Sequence, residues 1–417
     1  MEMLHRDLED EIRKYSERRE YLIVKGPRQA GKTTLLKDIY SKTSGSRRFV
    51  NLDNATARRS FETEPLAFVG RFKTGSKLTL FLDEVQKVNG AGEKLKLLYD
   101  EIDGLKVYAS GSSSLEMRNN VMYALEGRAF VYELMTFSFG EFLAVRDGGL
   151  YKSFKSVNES IRKFIANGTS PQKPAFSDEL SGHWKRYVVH GGYPEVVKAN
   201  DDIDLMKTIL KNIFDLYVDK DVVGFFKVED TNKFIDFAKA LSFNISNILN
   251  LSSLSSDLHT THYMARQMLE VMSNTYMIKL VYPFFRNVVT ELKKSPKLYF
   301  RDLGMRNYVL GNMLPFDNRD DAGKLTENFV FEELEIMGYR TKYWRTTADA
   351  EVDFVIEASD GIVPIEVKMG GTGALGRSFY SFINVYKPKR ALIVTMNEFS
   401  EEKINGTKVF KVPAFCL

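Results

Sequence analysis

Residues 21 to 33 read Tyr-Leu-Ile-Val-Lys-Gly-Pro-Arg-Gln-Ala-Gly-Lys-Thr, an apolar run followed by a complete G-x-x-x-x-G-K-T. The run Tyr21-Leu22-Ile23-Val24 predicts a buried strand, and Thr33-Thr34-Leu35-Leu36-Lys37-Asp38-Ile39-Tyr40 predicts a helix whose free amides point back at the loop. Such a turn is an anion cradle made by Gly26, Pro27, Arg28, Gln29, Ala30, Gly31, Lys32 and Thr33, with Thr34 following. Gly31 lets the backbone approach a phosphate, Lys32 reaches the β and γ oxygens, and the Thr33 hydroxyl is placed to ligate magnesium.

Hydrolysis of a bound nucleotide needs a second element that holds magnesium and orients water. Leu78-Thr79-Leu80-Phe81-Leu82-Asp83-Glu84 supplies it, an apolar strand ending in two acids at the carboxyl edge of a sheet. Asp83 is expected to bind magnesium through water and Glu84 to polarise the attacking water. A third strand end, Val107-Tyr108-Ala109-Ser110-Gly111-Ser112, offers small hydroxyls, Ser110 and Ser112, to sense the γ-phosphate or its water.

With these three strand ends, and with Leu125-Glu126-Gly127-Arg128 ahead of the apolar segment 129–134, the chain resembles the AAA+ class of P-loop ATPases, in the branch close to the STAND signalling ATPases. The resemblance implies ATP and Mg²⁺ as cofactors. It gives Arg128 two readings, an arginine finger reaching a neighbouring subunit of a homo-oligomer or a surface arginine at a strand start. It likewise sets Gly192-Tyr193-Pro194 beside the Gly-x-Pro of a helical lid, where Pro194 touches the nucleotide; the residues alone say only that the chain turns there.

A chain of 417 residues is long enough for two to four domains, each with a core of its own. Its 59 basic against 55 acidic residues leave a net charge of +4, which permits a nucleic-acid partner without arguing for one. The single cysteine, Cys416, excludes an internal disulfide framework and fits a reducing cytoplasm. No apolar segment is free of charge over the length of a membrane span, so no membrane is expected as partner.

Leu4, Leu8, Ile12 and Tyr15 predict a short first helix, its charged face expected to be solvated. Strands near 48–53, 78–82, 105–109 and 129–134 alternate with helical patterns, which predicts an α/β fold with an open parallel sheet over residues 1–150. Residues 146–180, rich in Lys, Ser, Asn, Gly and Pro, read as loops, and 151–232 as linker and helical lid. Over 233–297, two helical patterns joined by a polar turn at Ser255-Ser256-Asp257 and followed by a strand look like a winged helix-turn-helix. Its second helix would carry Thr260, Thr261, His262, Arg266 and Gln267 toward DNA, or serve as a lid or protein contact.

Residues 298–417 read as a last α/β domain. Here Glu351-Val352-Asp353 and Pro364-Ile365-Glu366-Val367-Lys368 lie on two alternating strands around an Asp360-Gly361 turn, with Glu351 and Asp353 on one face and Glu366 and Lys368 on one face. With Glu327 on an upstream helix, the arrangement resembles the PD-(D/E)XK nuclease fold. The resemblance implies Mg²⁺ or Mn²⁺ held by Asp353 and Glu366 with Glu327, and water positioned by Lys368. Gly370-Gly371-Thr372-Gly373 lacks the polar residues often found after such a motif. Two functions follow as expectations. One is an ATPase whose nucleotide state gates a metal-dependent nuclease acting on DNA, RNA being the other polymer. The alternative is an ATP-dependent switch that binds nucleic acid or protein without cleavage.

Overall fold

The computed structural model describes residues 4–112, 121–224, 230–284, 294–346, 350–370 and 375–417. The chain divides into two compact units. The first is Met1–Phe137 with Ile213–Lys227 and Glu270–Met277; the second is Ser138–Asn212, Val228–Leu269 and Ile278–Leu417.

The first unit holds the expected parallel sheet. Strands β1 (Tyr21–Lys25), β2 (Arg47–Asn51), β3 (Leu78–Asp83), β4 (Leu105–Gly111) and β5 (Ala129–Glu133) run in the order β2-β3-β4-β1-β5, every pair parallel. Both faces are covered, which is why β1 is an unbroken apolar run. Tyr21 and Ile23 join a core with Phe61 and Leu98, while Leu22 and Val24 join another with Ile12 and Leu36.

Helix α1 (Asp7–Arg13) keeps Asp7, Asp10, Glu11 and Arg13 exposed, as expected, and departs from the expectation at Glu9 alone. Glu9 is buried and receives Arg13 Nη2 at 2.6 Å and Lys42 Nζ at 2.9 Å, the latter from the last turn of helix α2 (Lys32–Lys42). Burial works to raise the Glu9 carboxyl, but the bonds from Lys42 and Arg13 outweigh it and hold the group below its usual range.

In the second unit the stretch expected as loops is largely helical. Helices span Gly148–Asn167 and Ser177–His190. Asp147 caps the first, accepting the Gly149 and Leu150 amides at 2.9 and 3.0 Å, and Leu150, Phe154, Val157, Ile161, Phe164 and Ile165 form its buried stripe. The serines of the expected polar turn lie inside the helix Leu251–Asp257, and the chain turns only between that helix and the next, His262–Asn274. Strands β6 (Ile278–Val281) and β7 (Lys297–Phe300) form an antiparallel pair.

The carboxyl-terminal sheet contains β8 (Lys342–Arg345), β9 (Glu351–Ala358), β10 (Gly361–Lys368), β11 (Arg390–Thr395), β12 (Ser400–Ile404) and β13 (Thr407–Pro413), in the order β12-β13-β11-β10-β9-β8. β9 is antiparallel to both of its neighbours, β8 and β10, whereas β10, β11 and β13 run parallel. The helix Arg377–Tyr386 makes the crossover from β10 to β11. The boundary expected at 297/298 passes through β7.

Two helix ends meet backbone to backbone at Gly191 and Gly304. A Cβ at Gly304 would stand 1.9 Å from the His190 carbonyl oxygen, and one at Gly191 2.3 Å from Asp302 Oδ1. Asp302 caps the helix Leu303–Leu310 through the Met305 amide at 2.8 Å and also accepts the Gly192 amide at 2.9 Å. Gly304→Ala should therefore destabilise the protein by roughly 3 kcal/mol or more, because the obstructing atom is backbone. Gly182→Ala, in open space within Ser177–His190, should be neutral or stabilise by up to about 1 kcal/mol. Urea unfolding of the two variants checks the contrast.

Candidate functional site

The strand order of the first unit decides which side chains meet. β4 lies between β1 and β3, with Val24 in register with Ser110 and Leu82 with Ala109. The loop after β1 and the acids after β3 are thus brought to one sheet edge on either side of Ser110. Thr33 Oγ1 donates to Asp83 Oδ2 at 2.8 Å, and the Ser110 hydroxyl donates to the other oxygen, Asp83 Oδ1. Ser112 Oγ stands 3.2 Å from Glu84 Oε1, while Gln86 Nε2 donates to Glu84 Oε2 at 2.6 Å. Glu84 itself has φ +58°, a left-handed conformation that costs a residue with a Cβ roughly 1–2 kcal/mol. The bonds from Ser112 and Gln86 fix its carboxylate in that unusual position.

The loop is held from beneath. Gly26 has φ +153°, and a Cβ there would lie 2.0 Å from the Leu134 carbonyl oxygen, so only glycine fits. Gly31, at φ +94°, precedes the first turn of α2, Ala30 is buried, and Gln29 and Thr34 are exposed. Lys32 is buried and donates to the carbonyls of Gly26 and Pro27 at 3.0 and 2.6 Å. Burial lowers its ammonium to about 8, with Arg28 adding to the effect and Glu84, Asp83 and Asp221 opposing it. Arg28 makes a two-pronged pair with the buried Asp221, Nε to Oδ2 at 2.6 Å and Nη2 to Oδ1 at 3.0 Å.

Sequence reasoning passed over Arg6, Gln86 and Asp221. The buried Arg6 guanidinium donates to Ala30 O at 2.8 Å and Met135 O at 2.7 Å, tying the loop to the chain after β5. Gln86 lies two residues beyond the Asp83-Glu84 pair, at the edge of the stretch whose acids carried the reading. Asp221 had no local signal, since 193 residues separate it from Arg28.

Within the first unit, Arg128 is not brought to this edge. Arg128 precedes β5, whose first residue is in register with Tyr21 at the start of β1, so it lies at the opposite end of the sheet from the loop. The five residues of β1 put about 16 Å between those ends. Its guanidinium pairs with Asp100 at 3.0 and 3.3 Å. Pro194 belongs to the second unit, where it opens the helix Pro194–Lys198 and is buried.

A second polar cluster lies on the carboxyl-terminal sheet. Ile365 is in register with Phe354, which sets Glu366 beside Asp353 where β9 and β10 part. Carboxylates replace the ladder there: Val367 N–H donates to Asp353 Oδ2 at 2.8 Å, and Asp353 N–H approaches Glu366 Oε2 at 3.4 Å. Lys368 Nζ lies 2.7 Å from Glu366 Oε1. Burial, with Asp353 adding to it, pushes the Glu366 carboxyl up against the pull of Lys368. Glu327, on the helix Ala322–Ile336, accepts from Tyr299 Oη at 2.7 Å and Lys297 Nζ at 3.0 Å. Burial raises it to about 7 despite Lys297.

Lys297 is the residue the sequence reading missed. Its ammonium, buried at the start of β7, lies 2.6 Å from Glu351 Oε1, 3.0 Å from Glu327 Oε1 and 3.6 Å from Asp353 Oδ1. Among the described residues no three His, Cys, Asp or Glu side chains converge as a group able to hold a metal ion. Two ammonium groups, a hydroxyl and amides engage Glu327, Asp353 and Glu366, the three carboxylates expected as metal ligands. Gly371, Thr372 and Gly373 lie outside the described residues.

The family described as an AAA domain matches residues 18–143. Two domains of unknown function match 181–315 (DUF8612) and 322–415 (DUF4143). The chain is similar to the uncharacterized protein Rv2008c of Mycobacterium tuberculosis, 24% identical over 402 residues, covering 94% of this chain and 80% of the relative. It is also similar to an uncharacterized protein of Haemophilus influenzae, 24% identical over 335 residues and 78% of each. Among solved structures, the Walker-type ATPase PABY2304 of Pyrococcus abyssi aligns with a TM-score of 0.42 and 12% identity, over 73% of this chain and 95% of that one. The AAA match coincides with the strand ends just described, and the protein is a P-loop ATPase. No helix among the described residues is long and apolar enough to cross a membrane.

A depressed Lys32 has a defined linkage. Between about pH 8 and 10.5 the folded, nucleotide-free protein binds fewer protons there than the unfolded chain, so this group makes stability rise with pH across that window. Phosphate favours the ammonium, so ATP binding above about pH 8 should take up protons and weaken as pH rises. Calorimetry in buffers of different ionisation enthalpy measures the uptake, which should vanish in Lys32→Arg.

Proposed function

We propose that the protein is an ATP-driven switch in which hydrolysis at the phosphate loop controls how the second unit holds DNA, without cutting it. The observation that carries the first half is the joined network Thr33–Asp83–Ser110 and Glu84–Ser112 along one sheet edge. Lys32 and the α2 amides bind and orient the phosphates. Thr33 and Asp83 would hold Mg²⁺, Thr33 directly and Asp83 through water, and the ion supplies neutralisation of phosphate charge when bound. Glu84 polarises the attacking water and accepts its proton as the oxygen adds to the γ-phosphate, with Ser112 and Gln86 keeping the carboxylate aimed. The expectation that Pro194 completes the pocket from the lid is not carried into this reading. A part for Arg128 at a neighbouring chain's nucleotide requires that its pair with Asp100 first be broken.

The second half rests on an element order and on the side chains it exposes. The helices Leu251–Asp257 and His262–Asn274, followed by the β6–β7 pair, have the element order of a winged helix, and they support DNA as the partner. His262, Arg266 and Gln267 are exposed on the second of these helices, suited to phosphate and base-edge contact. Metal-dependent cleavage by Asp353, Glu366 and Lys368 is the second reading. Their convergence on adjacent strands favours it, and the internal pairing of those carboxylates weighs against it.

Lys32→Ala should abolish ATP binding. Glu84→Gln should keep ATP bound while lowering turnover by about 10²-fold or more, measured as phosphate release. DNA affinity should differ between ATP-bound Glu84→Gln and the nucleotide-free protein, and no nicked product should form with Mg²⁺ or Mn²⁺ in any nucleotide state. Equal DNA affinity in both states would refute the switch. Products lost in Asp353→Ala would instead establish the nuclease.

A further inference from the structure

Four carboxylates and two ammonium groups share the edge of the carboxyl-terminal sheet, and one ammonium is placed differently from the other. Lys368 reaches Glu366 from β10 itself and is half exposed. Lys297 comes from β7, a strand of a different sheet, and its side chain is 2% exposed. It touches no single partner but bridges Glu327, Glu351 and Asp353 at 3.0, 2.6 and 3.6 Å. Tyr299, two residues on and on the same face of β7, donates to the Glu327 oxygen that Lys297 also engages. Glu351 is further approached by Arg345 Nη1 at 3.5 Å. One strand thus delivers a fixed cation and a hydroxyl into the space between a helix and β9.

A divalent ion held by the same carboxylates would need their oxygens at about 2.0–2.6 Å, which the ammonium among them obstructs in space and opposes in charge. We infer that Lys297 is the built-in counter-cation of this cluster, taking the part that a divalent metal would take between Glu327, Glu351 and Asp353. The inference rests on the reading of the second unit as non-cutting and supplies its physical cause. It also reverses the expected dependence: the lysine must be removed, not supported, before the cluster becomes a metal site. Lys297→Met keeps the aliphatic stem and removes only the charge and its donors, leaving three partly buried carboxylates in need of a cation.

The test is Mn²⁺ binding to the nucleotide-free full chain, followed by electron paramagnetic resonance of the free ion. The parent should show no Mn²⁺ site that depends on Asp353. Lys297→Met should bind Mn²⁺ at least about tenfold more tightly, should be raised in thermal unfolding temperature by Mn²⁺, and should lose both on adding Asp353→Asn. Lys297→Arg, which keeps the charge, should behave as the parent. An Asp353-dependent site in the parent as tight as that in Lys297→Met overturns the inference, as does gain of Mn²⁺ by Lys297→Arg or its lack in folded Lys297→Met. If Lys297→Met does not fold with or without Mn²⁺, the parent decides: an Asp353-dependent site overturns the inference and its absence upholds it. DNA cleavage is scored separately, so a non-cutting protein that binds Mn²⁺ at Asp353 sinks this inference alone, while cleavage without such a site sinks the non-cutting reading alone.

Discussion

The first unit depends on an ammonium buried under its own loop. Among the described residues Lys32 makes no ion pair and is instead met by the carbonyls of Gly26 and Pro27, so the loop must present those oxygens inward and keep its amides for a ligand. That requirement explains why the loop is braced from several directions. Gly26 presses against the Leu134 carbonyl, and Arg6 ties Ala30 to Met135. A loop left unbraced would turn its carbonyls to solvent and give up the poised charge. The phosphate groups of a nucleotide supply the partner that the protein withholds.

Lys297 makes the comparison instructive. Both lysines are almost fully buried, yet their protonation is driven in opposite directions. Burial wins at Lys32, where the acids are more distant, and the group drops. At Lys297, burial would lower the ammonium too, but Glu327, Asp353 and Glu351 outweigh it and raise the group. One lysine is left wanting a partner and the other is saturated with partners, the difference between a site open to a ligand and a site closed on itself.

Much of this was legible in the chain. The phosphate loop, the Asp83–Glu84 pair, the serine strand end and the parallel sheet are local patterns in which spacing and strand period carry the information. The polar pair Asp353 and Glu366 was readable for the same reason. What escaped was either long-range or masked by composition. Arg28 and Asp221, or Lys297 and Glu351, meet only through the fold. The helix Gly148–Asn167 was hidden because its outward lysines, serines and asparagines dominate the composition, although Leu150, Phe154, Val157, Ile161 and Phe164 keep helical spacing throughout. Charge misled at α1, where a run of acids and arginines reads as solvated but Glu9 is sealed by Lys42 and Arg13. Glycine told part of the story at 191, where the chain does turn but where a close approach to Asp302 and Gly304 also excludes a side chain.

The first unit is assembled from three stretches of chain that are not adjacent, and Asp221 belongs to the second of them. During synthesis the phosphate loop leaves the ribosome long before the acid that pairs with Arg28, 193 residues later. At roughly 5–20 residues per second, the delay is on the order of 10–40 seconds. A nascent chain therefore passes through a period in which its strands and loop are present but Arg28 lacks its carboxylate. Cellular nucleotide is available throughout that interval, and the growing polypeptide meets its ligand before it meets its own closing segment.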